Sequence, residues 1–265
     1  MRKGAGQGPP RPAPFRISGQ QPRSGVGQVR GWQQRARLKG WDHPVSSGLL
    51  LVMHDVARGR ESEFCRWWDS EYMPAMLGVP GITACWFYQA VEGRPVYLQI
   101  YDLASLDVIQ HPGYFRARGW GPHHADAPRG MFAACSRLTV GVYKQLLALP
   151  SASPDLSRVG AALLAGLEIG REHEEEFEDW YNTEHLPNLS GATGVLRARR
   201  FRLDPRARDK LGEPVTYLAL YEAESTDSFA REEWVRLGQT PWTRRLKRYF
   251  SLPIRNIYKR IIPTG

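Results

Sequence analysis

The chain has 265 residues, 42% of them hydrophobic and 24% charged, which suits one large domain or two small ones and argues against global disorder. Its net charge of +9 does not amount to a nucleic-acid surface. The tail cations from Arg2 to Lys39 all precede the first acid, Asp42, the rest of the chain is close to balanced, and no zinc finger, RNA-binding signature or Walker-type loop is present. Cys65, Cys85 and Cys135 form no Cys-x-x-Cys pair, which speaks against disulfides and structural zinc and for a reducing cytoplasm. No apolar run approaches the roughly 20 residues of a membrane helix.

In chain order, residues 1–46 are rich in Gly, Pro, Gln and Arg without a period that could bury a face, and they read as a disordered basic tail. Leu49–Asp55 is a short apolar strand. In Glu61–Met76, Phe64, Trp67, Trp68, Glu71 and Tyr72 recur at helical steps, with Pro74 near the end and a turn at Pro80-Gly81. Ile82–Val91 and Pro95–Asp102 flank Glu92-Gly93-Arg94 as a hairpin. Ala104–Gln110 is a weaker helix, Arg137–Leu146 a closing strand, and Pro150–Pro154 a linker. The pattern then recurs as Ala161–Ile169, Glu172–Asn188, Val195–Leu203, Pro214–Glu222, Thr226–Leu237 and a last strand within Ser251–Ile262.

The recurrence extends to single residues. Phe64-x-x-Trp67-Trp68-x-x-Glu71-Tyr72-x-Pro74 matches Phe177-x-x-Trp180-Tyr181-x-x-Glu184-His185-x-Pro187 at constant spacing, Gly81 matches Gly194, and Tyr97-Leu98-x-Ile100-Tyr101 matches Tyr217-Leu218-x-Leu220-Tyr221. The expectation is a tandem duplication, two ferredoxin-like β-α-β-β-α-β halves at 47–150 and 155–265. Each half-sheet would leave one apolar face bare, so the two should pack face to face as an α+β barrel around a lumen.

The segment Phe177-x-x-Trp180-Tyr181-x-x-Glu184-His185-x-Pro187, with Gly194 and the basic strand Arg197-Ala198-Arg199-Arg200-Phe201, resembles the dimeric α+β barrel superfamily, in particular its EthD-like members. The resemblance spans about Leu49 to Ile262. It implies a pseudo-dimeric barrel and a small-molecule activity, within a group that includes isomerases, cyclases, dehydratases, decarboxylases, cofactor-free monooxygenases and haem-handling proteins.

His185 is the leading catalytic candidate, because an imidazole titrates near neutrality and the first repeat carries Tyr72 in its place. Glu184 and Tyr181 could orient the ring, and Tyr72 could donate a hydrogen bond to a developing enolate. Each has a structural alternative: helix-end bonding for His185, packing for Tyr72 and Tyr181, pairing or capping for Glu184. Candidate substrate contacts are Arg199 or Arg200, which point to opposite faces so that one of them, or Arg197, could face a lumen, with Trp68, His54, Trp86 and Tyr217. His123, His124 and Asp126 invite a metal reading, but adjacent loop histidines seldom share one ion, so no metal is expected and the Gln110–Arg129 stretch reads as a lid. The resulting expectation is a cytoplasmic, cofactor-independent enzyme doing acid–base chemistry on a small aromatic, polyketide-like or lactone substrate. It would need no nucleic acid or membrane and could form a homodimer. The alternatives are a cofactor-free monooxygenase and a non-catalytic small-molecule or haem carrier.

Overall fold

The computed structural model describes residues 46–119, 130–150, 155–205 and 211–261. Residues 120–129 of the lid stretch, with His123, His124 and Asp126, and residues 1–45 of the basic tail lie outside the described residues. Eight antiparallel strands close into one barrel: β1 Gly48–Val56, β2 Ile82–Glu92, β3 Tyr97–Leu103, β4 Cys135–Leu149, β5 Ala161–Ile169, β6 Val195–Leu203, β7 Tyr217–Ala223 and β8 Phe250–Arg260. Around the barrel the order is β1-β3-β2-β8-β5-β7-β6-β4. Strands β4-β1-β3-β2 and β8-β5-β7-β6 thus follow the same order in each half, and the β2–β8 and β4–β6 pairings join the halves. The two junctions are short, pairing residues 88–92 with 257–260 and 143–149 with 198–203, so closure involves only part of each strand.

Helices cover the outer face. In α1 (residues 61–77), α-helix Glu61–Trp67 widens into a π-helical turn, Trp68–Tyr72, and resumes as Met73–Leu77. In α3 (residues 174–190), Glu174–Trp180, the π-turn Tyr181–His185 and Leu186–Ser190 repeat the sequence of states. The cause is the shared proline. Pro74 and Pro187 have no N–H for the carbonyl four residues back, and their rings crowd it. The helix relaxes by widening, so the N–H of Met73 reaches Trp68 O and that of Leu186 reaches Tyr181 O, five residues back. Such turns concentrate at functional sites, and these place Tyr72 and His185 at matching ends. Gly81 and Gly194 follow, both at positive φ (92° and 86°). A Cβ there would also collide with Val108 and Ser228 respectively, side chains of the helical segment laid across each turn.

The weaker helices differ from expectation. Ala104–Gln110 is a 3-10 turn, Leu106–Gln110, followed by α2, Pro112–Ala117, whose N-terminus His111 caps by accepting from Gly113 N. Thr226–Leu237 is likewise a 3-10 turn, Thr226–Ala230, and α4, Glu232–Gly238, separated by the extended residue Arg231. A further helix, α5, Pro241–Leu246, was not expected. Its start is legible in retrospect: Thr240 accepts from Thr243 N as N-cap, and Pro241 occupies the first turn.

The barrel interior is not a hollow. Leu51, Trp86, Ile100, Tyr143, Leu164, Phe201, Leu220 and Tyr258 are all buried at alternating strand positions, as expected for eight strands, whose interior side chains suffice to fill. Among them lies a charged cluster that bridges the halves. Arg199 pairs with Asp102 across the barrel and with Glu222 at 3.2 Å, while Arg197 contacts Glu222 at 2.5 Å and Asp102 at 3.7 Å. Burial alone would raise the Asp102 pKa, but the Arg199 and Arg197 charges overcome it and hold the carboxyl below its usual range.

Candidate functional site

Strand alternation decides where the basic residues of β6 point. Arg197 and Arg199 enter the barrel interior. Arg200 turns outward beneath α3, where its guanidinium donates to Glu178 at 2.6 Å and Asn182 at 2.8 Å and stacks over Phe177, Tyr181 and Tyr217. Both buried arginines are therefore engaged by protein groups. Trp86 also faces inward, with its indole N–H donating to Asp102 at 3.3 Å and Arg260 stacked on its face.

His185 is not in the barrel interior either. It lies on the outer face of the second half, between α3 and the sheet, and lines a cavity of about 270 Å³. Leu163, Ala165 and Leu167 of β5 and Tyr221 of β7 form the floor, Trp180, Tyr181 and Leu189 of α3 and Trp234 of α4 the walls. Val235, Gln239, Lys247, Leu252 and Arg255, all exposed, stand at the mouth. The imidazole stacks on Trp180 with centroids 4.3 Å apart and meets the edge of Tyr181 at 5.0 Å. Its Nδ1 is buried without a hydrogen-bond partner, as is the Tyr221 hydroxyl. Burial, reinforced by the Lys247 charge, lowers the His185 pKa to about 3. At neutral pH the ring is uncharged and has a free nitrogen. Burial also raises the Tyr181 phenol to about 12, so it is a hydrogen-bond donor and not an anion.

Glu184 does not orient His185. It accepts from Thr240 Oγ1, which also bonds Thr243, and Thr243 accepts from the Trp180 indole at 3.2 Å. This chain pins α5 against α3 and fixes the cavity wall. Tyr217 lies outside the cavity with its hydroxyl on Glu174.

Tyr72, Trp68 and His54 form the matching region of the first half, under α1, and the structure does not bring them to His185. Trp68 stacks on Phe87 at 4.4 Å. His54 Nε2 lies 2.9 Å from Gln99 Nε2, and Gln99 Oε1 accepts from Tyr101 at 2.6 Å. Phe132 packs edge-on against Tyr72 at 5.1 Å and Trp67 at 5.5 Å and fills the space. The second half is roomier for visible reasons. At equivalent positions Val52 is replaced by Ala165, Tyr72 by the smaller His185, and Gly238 offers no side chain beside the ring. Of the ten candidates read from the sequence, only His185 and Tyr181 meet in one cavity. Tyr221, Trp234 and Lys247 were missed. Tyr221 was already visible in the repeated Tyr-Leu-x-Leu-Tyr strand, whereas the other two carry no local signal.

His54 is likewise lowered to about 3 by burial. For both histidines the unfolded state binds more protons between about pH 6.5 and 3, so their neutral burial lowers stability as pH falls through that window. The melting temperature should drop from neutral pH to pH 4.5, and His54→Gln with His185→Gln should flatten that slope. An unchanged slope in the double variant would show that other groups control it.

No protein-family model matches the chain, and no curated protein matches it in sequence. The likeness is structural. An anthrone oxidase-like protein aligns over 83% of this chain and 93% of its own, at 11% identity and TM-score 0.52. A variant of chlorite dismutase from Candidatus Nitrospira defluvii aligns over 82% and 92%, at 12% identity and TM-score 0.52. A candidate monooxygenase from Fusobacterium nucleatum subsp. nucleatum aligns over 82% and 94%, at 11% identity and TM-score 0.50. The fold is that of the dimeric α+β barrel proteins, here within one chain. Identities this low establish the fold alone. Among the described residues no helix is long and apolar enough to cross a membrane, and no cluster of His, Cys, Asp and Glu is arranged to hold a metal.

Proposed function

We propose that this chain is an EthD-like enzyme acting on a small planar aromatic compound, held between α3 and the sheet of the second half, with His185 as the proton-accepting group. The two halves would be ferredoxin-like copies, 47–150 and 155–265, from a tandem duplication in which the first lost its cavity and the second kept it. The repeated motif, the matching π-turns and the shared strand order support that history. A cytoplasmic setting accords with three free thiols.

The observation that carries the reading is a neutral imidazole, one nitrogen of which has no protein partner, lining a cavity walled by two indoles and two phenols. A cavity of roughly 150 Å³ accommodates benzene, so 270 Å³ suits one or two fused rings. A porphyrin is a poorer fit to that volume. With a pKa near 3 the ring is a weak base until an anion forms beside it. Withdrawing a proton from a substrate phenol or enol creates that anion, and the resulting ion pair in apolar surroundings stabilises both charges. Trp180 fixes the ring plane, and Tyr181 and Tyr221 line the cavity beside it.

Proton transfer of this kind serves isomerisation, cyclisation, dehydration or decarboxylation. It equally prepares an electron-rich ring for direct reaction with oxygen, and the likeness to an anthrone oxidase-like protein and a candidate monooxygenase favours that second reading. Turnover should be assayed on hydroxybenzene- and hydroxynaphthalene-type compounds with an oxygen electrode. His185→Gln is expected to lower turnover about a hundredfold or more. Oxygen uptake stoichiometric with product supports the oxygenase, and product without oxygen uptake the acid–base enzyme. Full activity of the variant rules out the assigned role.

A further inference from the structure

The mouth of the cavity has one sign of charge. Of its lining residues only Lys247 and Arg255 carry a formal charge at neutral pH, and no carboxylate lines it. Arg255 is already paired with Glu92 at 3.0 Å. Lys247 donates only to a neutral amide, Gln239 Oε1, at 3.0 Å, and has no ion-pair partner among the described residues. Its stem follows the end of α5, so the ammonium stands at the rim while Trp180, Trp234 and the floor of β5 lie deeper. The arrangement has an apolar, aromatic interior, a hydrogen-bond acceptor at His185, and one uncompensated cation at the entrance.

Resting on the cavity as the ligand site, we propose that Lys247 is the specificity-determining residue, and that the ligand is a planar aromatic bearing an anionic oxygen group that sits at the rim while its rings enter the cavity. The anionic role given to Arg199 or Arg200 by the sequence pattern falls instead to a residue at a helix end. Both arginines are already neutralised by Asp102, Glu222 and Glu178. A cation that faces water on one side and an apolar wall on the other attracts an anion by a modest amount, on the order of 1 kcal/mol, or about fivefold in affinity.

The test is calorimetric titration of the full chain with naphthoate, naphthol and naphthylmethylammonium at neutral pH and low salt. Naphthoate should bind about fivefold tighter than naphthol, and the ammonium compound most weakly. Lys247→Met should bring naphthoate and naphthol within about twofold of each other with naphthol unchanged, and Lys247→Glu should invert the order. Physiological salt, with a Debye length of about 8 Å, should narrow the wild-type preference. Because Lys247 is exposed, both variants should keep the wild-type urea midpoint. Naphthol binding with no preference for naphthoate, or a preference that survives Lys247→Met, overturns the charge assignment and leaves the cavity reading standing. Failure of all three compounds to bind overturns both.

Discussion

Arg199→Ala is expected to destabilise the fold by about 3–5 kcal/mol, measured as the loss of unfolding free energy in urea. The side chain is 1% exposed and lies inside the barrel, where it neutralises Asp102 of β3 and Glu222 of β7 together with Arg197. Removing it leaves two buried carboxylates sharing one guanidinium, and water in the vacated space would not replace the lost positive charge. Asp102 belongs to the first half and the arginines to the second, so the loss also weakens the junction between halves. Arg200→Ala is the informative control. That residue is equally buried, but its acidic partner Glu178 reaches the surface and can be solvated once released. The control should therefore cost roughly half as much. Arg199→Met combined with Asp102→Leu, which removes one charge of each sign, should recover most of the stability. A loss below about 1 kcal/mol for Arg199→Ala would mean the cluster contributes nothing to holding the barrel closed.

Phe132→Ala should cost a similar amount, about 3–5 kcal/mol, with a different signature. Phe132 is fully buried against His54, Phe64, Trp67 and Tyr72. Deleting its ring opens in the first half the space the second half has naturally. The new space would border on His54 and Tyr72, polar groups now sealed from solvent. Water admitted there should raise the His54 pKa from about 3 toward its ordinary 6.5, visible as a new imidazole titration by NMR. If the protein loses little stability and His54 does not titrate, Phe132 is not what closes the first half.

The acid dependence follows from the same burial. His54, His185 and Asp102 all favour the folded state less as protons become available, the imidazoles because they are buried neutral and the carboxylate because it is paired as an anion. The carboxylate contribution is lost as pH falls below its ordinary 3.8 toward the depressed folded value, over the acid end of the histidine range and beyond it.

Much of the architecture was readable along the chain because it depends on local periodicity and short-range stereochemistry. Short apolar runs and stretches rich in aromatic and β-branched residues placed the strands. The Phe-x-x-Trp repeat placed α1 and α3, and Pro74 and Gly81 marked the helix end and the turn after it, whereas the π-turns before Pro74 and Pro187 were seen only in the structure. The Tyr72-to-His185 exchange marked a difference between the halves, and it coincides with the difference in cavity. These inferences concern neighbours within one or two turns or one strand, where backbone geometry leaves few options.

The location of the site depended on which face of the sheet each half uses, and no local pattern carries that. Arg199 and Arg200 are adjacent and chemically identical, yet one is in the barrel interior and the other under a helix, because the closed barrel sets the register of β6 against β4 and β7. The cavity arises from Ala165, His185 and Gly238, three elements apart in sequence, each leaving a little volume that in the first half Val52, Tyr72 and Phe132 occupy. Packing is a sum over residues distant along the chain, and only the closed barrel with its helices docked determines where that sum falls short and a ligand can enter.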